Sequence, residues 1–373
     1  MRFTLSSTAL SSRLQTLAKV INSKNAIQIL ESFLFQVHDG HLAITAFDNE
    51  NRMKTMLPLS DQDGEGDFAI SSHIILDAVK LLPEQPLSFD VNTESYDITV
   101  NYLNGQYRFV AQSAEEYPQE QPIENARSFT IDGGVLVNNL NRTLFATDNN
   151  EIRPVMNGVY FDLTPEHLAV VASDGHKLVR CRYYDLKSDE PASFILPKKP
   201  ANLLKNGIDV AGGDVVVRFN SNAAEFSYPE GTLRCQLIEG TFPNYNAAIP
   251  TDNPNELVVD RRALLDSIRR ILPFASMSSQ LIRFKLSQGN LELSAEDIDF
   301  ATSAKETLVC EYNGQPLQIG FRGDNFSEVL SAIDTDSVKV ELGDPSRAGI
   351  VVPDEQNEHE DVLMLIMPLI LSE

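Results

Sequence analysis

Ser173-Asp174-Gly175-His176-Lys177 is the stretch of this chain whose residue types come nearest to reactive machinery. A carboxylate, an imidazole and a hydroxyl so close together can move a proton. A hydrolase or lyase built on Asp174 and His176 is therefore one reading. The surrounding pattern argues against it. Asp174 closes the segment Phe161–Asp174 (FDLTPEHLAVVASD), and the same pattern is written at Phe35–Asp48 (FQVHDGHLAITAFD) and Phe284–Asp297 (FKLSQGNLELSAED). No histidine follows Asp48 or Asp297. A residue repeated in three frames is expected to shape a turn. His176 is unique to the middle copy and is the better candidate, for contact more than for chemistry.

Alternating apolar positions on both sides of a polar turn read as a β-hairpin. Gly40 and Gly289 supply the glycine such turns favour. The copies recur about every 124 residues, and Pro118, Pro243 and Pro368 follow Asp48, Asp174 and Asp297 by 70, 69 and 71 residues. A common period with a common later proline is an internal triplication.

Each repeat has the plan helix, hairpin, helix, further strands. Helices are expected over 7–20, 72–82, 134–146, 197–206, 261–272 and 324–333, with Ser71 or Ser72 and Asp260 as caps and Pro83 and Pro273 as stops. Domains are expected at 1–121, 129–249 and 256–373, joined by proline-bearing linkers at 122–128 and 250–255. The fold class is α+β.

The chain has 373 residues, 42% of them apolar, enough for a core in each repeat. Cys181, Cys235 and Cys310 fall in no metal-like spacing, so neither a metal nor a cofactor is expected, and an odd scattered count suggests a reducing compartment. The first twenty residues lack an apolar signal core, and the longest apolar run, Val362–Leu371, is too short to span a membrane. A cytoplasmic protein is expected. No GxxxxGK(S/T) loop, GxGxxG, HExxH or GxSxG motif occurs, so nucleotide cradling, zinc proteolysis and α/β-hydrolase chemistry lack support.

Net charge is −23, which by itself argues against a nucleic-acid partner. Its distribution argues otherwise. Over the six predicted helices the formal charge is +7, leaving −30 on the strands and loops. The tail is the other anomaly. Pro368 should end strand pairing, leaving Leu369, Ile370 and Leu371 with little chain to cover them, as in a partner-binding cleft.

Val171-Ala-Ser-Asp-Gly-His-Lys-Leu178, Glu239-Gly-Thr-Phe-Pro-Asn-Tyr245, Met367-Pro-Leu369 and the opening Met1-Arg-Phe-Thr4 together resemble the bacterial sliding clamp family, the DNA polymerase III beta subunit. The resemblance covers the whole chain. It implies a DNA clamp fold of three similar domains, each with two helices packed on β-sheets. Two copies would join head to tail into a ring, with twelve helices lining the hole. It implies a non-catalytic processivity factor for the replicative polymerase, binding duplex DNA without regard to sequence. Basic helices would meet the phosphates, and phosphate contacts carry no base information, so such a ring slides. Loading by an ATP-driven clamp loader is also implied. A scaffold with no DNA role remains the alternative outside the family.

Carried over residue by residue, the resemblance gives DNA contacts at Lys24, Lys80, Asn150, Lys198 and Lys199. It gives a partner-peptide cleft at Arg153, Ser173, His176, Lys177, Leu178, Pro243, Ala247, Met367, Pro368 and Leu369. Lys177 replaces an arginine. Pro154-Val155 stand where better-known members have aromatics, and Ala247 and Ile370 where they have basic residues. The cleft should therefore be more apolar and less basic. Ser372 and Glu373 run past the usual end.

Overall fold

The structure, a computed structural model, describes residues 1–22, 27–150 and 152–371. It contains helices α1 (Ser7–Ala18), α2 (Ser72–Val79), α3 (Gly133–Thr143), α4 (Lys198–Gly207), α5 (Arg261–Ile271) and α6 (Gly323–Ser331). None is long and apolar enough to cross a membrane.

Local sequence accounts for several of their ends, although the expected serine cap of α2 does not form: Ser71 makes no capping bond and Ser72 Oγ donates to Glu31 O at 2.6 Å. Ser6 Oγ accepts from Ala9 N at the start of α1, and Asp260 accepts from Ala263 N at 2.7 Å at the start of α5. Each cap satisfies one of the backbone donors a helix start leaves open. Leu10, Leu14 and Leu17 fall on one side of α1 and are buried. Each such leucine contributes about 1.5–3 kcal/mol over the exposed state. Helix α2 stops at Val79, earlier than expected. Pro83 disfavours helical geometry at Leu82, and the chain tightens into a turn with Leu82 N donating to Val79 O.

All three hairpins form in one register. Phe35 lies opposite Ile44, Phe161 opposite Val170 and Phe284 opposite Leu293. Asp39 (φ 49°) and Gly40 (φ 75°) are both left-handed in the first turn, the geometry that matches strand twist. The middle copy has no glycine there; Thr164 N donates to His167 O at 2.9 Å around Pro165-Glu166.

The chain forms two compact units, Met1–Val137 with Lys199–Leu237, and Asn138–Lys198 with Ile238–Glu373. Each contains a nine-stranded and a five-stranded antiparallel sheet. In the first, Asn51–Pro58 of repeat one pairs with Gly231–Gln236 of repeat two. In the second, Lys177–Tyr183 of repeat two pairs with Glu360–Ile366 of repeat three. Repeats thus share continuous sheets. Pairing these strands satisfies backbone groups that a free edge would expose. Strands Arg127–Asp132 and Asn255–Asp260 begin within the stretches read as linkers. Tyr117, just before Pro118, is 2% exposed, packed with Ile29, Leu30 and Leu34.

Aromatic stacks fill the cores. Phe3 lies on Phe89 (4.7 Å between centroids) in the first unit, and Phe284, Phe321 and Phe326 form a mutual cluster in the second.

The tail does not simply run free. After Ile366 it leaves the nine-stranded sheet, and Pro368–Leu369 pairs with Phe321 and Gly320 of the five-stranded sheet. A β-carbon at Gly320 would lie 2.7 Å from Leu371 Cδ2 and 3.1 Å from Leu369 O, so glycine is what admits the tail. The expectation that all three terminal apolar residues lie uncovered is corrected. Leu369 and Leu371 are half-buried, while Ile370 is 89% exposed and Met367 40% exposed.

Candidate functional sites: a peptide cleft and unpaired cations

The three hairpin aspartates do the same local work. Asp48 Oδ1 accepts from Glu50 N (3.0 Å) and Asn51 N (2.6 Å). Asp174 Oδ1 accepts from His176 N and Lys177 N, both at 2.8 Å. Asp297 Oδ1 accepts from Asp299 N (3.0 Å) and Phe300 N (3.2 Å). Each carboxylate bonds backbone two and three residues on, an Asx turn that reverses the chain out of the hairpin.

This geometry disposes of acid/base machinery at the middle copy. Ser173 Oγ donates to Lys177 O at 2.9 Å and accepts from Gly175 N at 3.1 Å. The His176 imidazole is exposed and bonds to neither side chain. Burial alone would raise the Asp174 carboxyl. The Lys177 backbone and ammonium and the His176 N–H outweigh it and hold the group below the usual carboxylate range. Asp174 is thus an ionised structural anchor. Gly175 (φ 88°) completes the turn, and a β-carbon there would sit 3.0 Å from Arg153 Nη1.

Lys177 differs from what its position suggests. Its ammonium lies 2.9 Å from Asp174, 3.0 Å from Glu328 and 3.1 Å from Asn325, and the residue is 7% exposed. Burial pulls its pKa down and the two carboxylates more than restore it. Its charge is spent inside the protein, so it positions the turn and does not present a cation to a partner.

Of the other residues expected at the cleft, Leu178 belongs to an apolar cluster of the second unit. Leu178, Phe242, Tyr245, Ile350 and Leu365 pack together, with Val155, Tyr160 and Leu363 partly buried against them. Phe242 stacks on Tyr160 at 4.7 Å, and Tyr245 donates its hydroxyl to Asp162 at 2.9 Å. These contacts hold Pro243 and Ala247 exposed between and beside two anchored aromatics. Met367 N donates to His176 O at 2.8 Å, which brings the tail to the hairpin end. Arg153 Nη2 lies 2.8 Å from Asp148 and donates to Asp174 O at 3.3 Å. Val155 packs against Gly240, where a β-carbon would come within 2.7 Å of its methyl.

The expected DNA-contact residues are more varied. Lys24 lies outside the described residues. Lys80 caps α2 and ion-pairs with Asp77. Asn150 accepts from Ile152 N at 3.0 Å and is exposed. Lys198 donates to Asn149 Oδ1 at 2.5 Å and to Thr147 O at 3.4 Å, and partial burial lowers its pKa. Lys199 reaches Asp48 (2.5 Å), Val20 O (2.7 Å) and Asn22 (2.8 Å). Much of the helical positive charge is likewise engaged. Arg142 pairs with Glu360, Arg270 with Glu306, and Arg261 donates to Leu330 O and Thr335 O. Among the described residues, Arg13, Lys19, Lys205 and Arg262 have side chains with no hydrogen bond or ion pair. They were counted as helix charges without being singled out. The seven-residue spacing of Lys198 and Lys205, which places them on one side of α4, was the available signal.

Three hairpin repeats in one register, sheets continuous from repeat to repeat and an apolar face on the second unit define a binding protein of clamp architecture. Comparison with known proteins makes this specific. Family models for the N-terminal, central and C-terminal domains of the DNA polymerase III beta subunit match residues 1–121, 130–244 and 246–369. A beta sliding clamp from Pseudomonas aeruginosa is 26% identical over 370 residues, covering 99% of this chain and 100% of the relative. One from Rickettsia bellii is 28% identical over 87% of this chain and 88% of its own length. A crystal structure of the Pseudomonas aeruginosa clamp bound to griselimycin superposes with a TM-score of 0.93 at 25% identity, each chain covered completely. The Thermotoga maritima beta subunit, at 24% identity and a TM-score of 0.89, shares the fold.

The chain belongs to the DNA polymerase III beta subunit family. It is a DNA sliding clamp that encircles duplex DNA and confers processivity on the replicative polymerase, engages partners through a hydrophobic cleft, and catalyses no reaction itself.

Proposed function

We propose that Lys198, Lys199, Lys80, Asn150 and Lys24 contact the DNA backbone, joined by Arg13, Lys19, Lys205 and Arg262, which have no ion pair among the described residues. Phosphates compete best for cations that are not already paired, so the four added residues carry the larger share. His176, Leu178, Pro243, Met367, Pro368 and Leu369 receive an apolar partner peptide, with Arg153, Ser173, Lys177 and Ala247 shaping its rim. The observation that carries this is the bond from Met367 N to His176 O beside the Leu178–Phe242 cluster. The polymerase and the ATP-driven clamp loader are the proposed users of that cleft.

Closure is proposed through a head-to-tail homodimer of three-domain chains, with domains at 1–121, 129–249 and 256–373. Strands Gly105–Val110 and Thr302–Val309 are outer strands of the two five-stranded sheets. Val110 is 64% exposed and Val309 89% exposed. A second copy pairing one edge with the other would remove both liabilities. A cytoplasmic location fits the buried free thiols Cys181 and Cys235, both pushed up to about 12 by burial.

Retention on DNA tests the reading. Clamp loaded on circular duplex should persist and should slide off once the circle is cut. Equal loss from both, or a monomer by light scattering, would refute it.

A further inference from the structure

The strand junction inside the first unit carries charges that its counterpart inside the second does not. Arg52 and Leu178 stand four residues after Asp48 and Asp174 respectively. Arg52 lies directly opposite Arg234, and Leu178 directly opposite Leu365. The same register therefore holds two guanidiniums in one junction and the floor of the apolar cleft in the other. Like charges directly opposite one another on antiparallel strands repel.

A third cation adds to them. Lys54, two residues after Arg52 on the same face, lies opposite Thr232. Its counterpart in the second junction, Arg180, is neutralised by Asp361 at 2.7 Å. Among the described residues Arg52, Lys54 and Arg234 form no ion pair. Glu225, opposite Arg234, directs its carboxylate to Arg218 at 3.6 Å.

Arg52 is also held in place. It lies over the Phe47 ring at 4.4 Å and 5.9 Å from the Tyr117 ring, and its Nη2 donates to Pro118 O. Among the described residues that leaves Nε and Nη1 without an acceptor. Arg52 and Lys54 line a cavity of about 240 Å³ together with Leu34, Thr45, Tyr117 and Pro118. A fixed guanidinium with free N–H groups beside an ammonium suits a carboxylate.

We infer that this face docks an acidic peptide of a partner protein, one carboxylate of which is held by Arg52, Arg234 and Lys54. Its neighbouring apolar side chain lies over Leu34 and Tyr117. The cavity has room for little more than one side chain. Asp67 and Glu120 also line it, and Asp67 is occupied by His38 (2.6 Å) and Gln36 (2.9 Å). Glu120 offsets part of the Arg52 charge, so the patch is only modestly positive and suits one carboxylate better than a run of phosphates. The inference stands on strand register and charge and does not need the cleft assignment.

Full-length protein is titrated into fluorescein-labelled acetyl-Glu-Leu-Glu-Leu-Glu-amide and into its all-glutamine counterpart, read by anisotropy. The acidic peptide should bind about tenfold or more tightly over the amide one, as expected for a charge-assisted carboxylate contact. Arg234→Gln and Lys54→Gln should each shrink that preference, and Arg52→Gln with Arg234→Gln should abolish it. Because Arg52 also steadies Tyr117, the Arg234 and Lys54 variants decide the matter if the double variant unfolds. Equal binding of the two peptides, or an undiminished preference in both single variants, would overturn the inference. So would loss of the preference on deleting Met367–Leu371, which would seat the peptide in the apolar cleft. Displacement by a twelve-nucleotide single strand, with the same dependence on Arg234, would reassign the face to nucleic acid and also overturn it. Failure of the cleft reading would appear separately, as unaltered polymerase binding by the truncated chain.

Discussion

Asp48 and Asp174 end equivalent hairpins, bend the chain through equivalent backbone bonds and each hold a lysine ammonium, yet they recruit it differently. Asp174 takes Lys177 from its own turn, whereas Asp48 takes Lys199 from helix α4 of the next repeat. One pairing is local and stiffens the rim where Met367 meets His176. The other ties a helix to a hairpin across a long stretch of chain. Asp297, the third equivalent, forms the turn without a lysine. A single motif thus serves as a turn alone, as a braced turn and as a tertiary anchor, depending only on what lies next to its second oxygen.

The largest effect that would sharpen this contrast is at the braced turn. Deleting Met367–Leu371 should abolish polymerase binding, about a hundredfold or more by surface plasmon resonance, since a central apolar anchor dominates such interfaces. Next, Arg13→Glu with Lys205→Glu should cut retention on circular DNA by about tenfold through lost phosphate contacts, with an unchanged melting curve. Lys198→Glu with Lys199→Glu should cut retention too, but with a lowered melting temperature, because Lys199 also anchors Asp48. If both pairs behave alike in melting, the anchor is unimportant. Third, Asp48→Ala should cost about 2–4 kcal/mol in urea unfolding, leaving two N–H groups without their acceptor and the Lys199 ammonium without its counter-charge. Asp297→Ala should cost about 1 kcal/mol, the worth of a turn acceptor alone. Equal costs would erase the distinction between turn and anchor.

The smallest effect concerns pH. The folded Asp174 carboxyl lies below its ordinary value, so the folded state binds that proton less readily than the unfolded chain. Its stabilisation is present above the ordinary carboxylate range and is lost as pH falls through the depressed folded value. Asp174→Asn should flatten this part of the stability profile, from the ordinary carboxylate range downward, and an unchanged slope would show that another group carries it.

Much of the architecture was legible from residue types. Period-two alternation set all three hairpins in the right register, because a one-residue slip would turn Phe35, Phe161 and Phe284 out of the core. Helix α1 was readable from its leucine spacing and α5 from the cap at Asp260 and the stop at Pro273. Continuity of the sheets from repeat to repeat was not. The pairing of Asn51–Pro58 with Gly231–Gln236 uses backbone groups that every residue possesses. Lysine burial was equally hidden. Lys177 and Lys199 read as surface cations by type, and only three-dimensional proximity to Asp174 and Asp48 changes that. The cleft floor was partly visible, in Leu178 and Pro243, while Phe242, Tyr160 and Leu365 join it through packing between distant segments.

The passage of the last residues from one sheet to another has a practical corollary for solution measurements. Pro368 and Leu369 shield the backbone of Phe321 and Gly320 in a sheet that has no other role in the cleft. A ligand that tugs on Met367 should therefore alter amide hydrogen–deuterium exchange in Leu317–Arg322, the strand that Pro368 and Leu369 pair with. On that outcome the carboxyl-terminal strand would serve as a mechanical reporter, turning occupancy of the peptide groove into a change in backbone protection elsewhere in the third repeat.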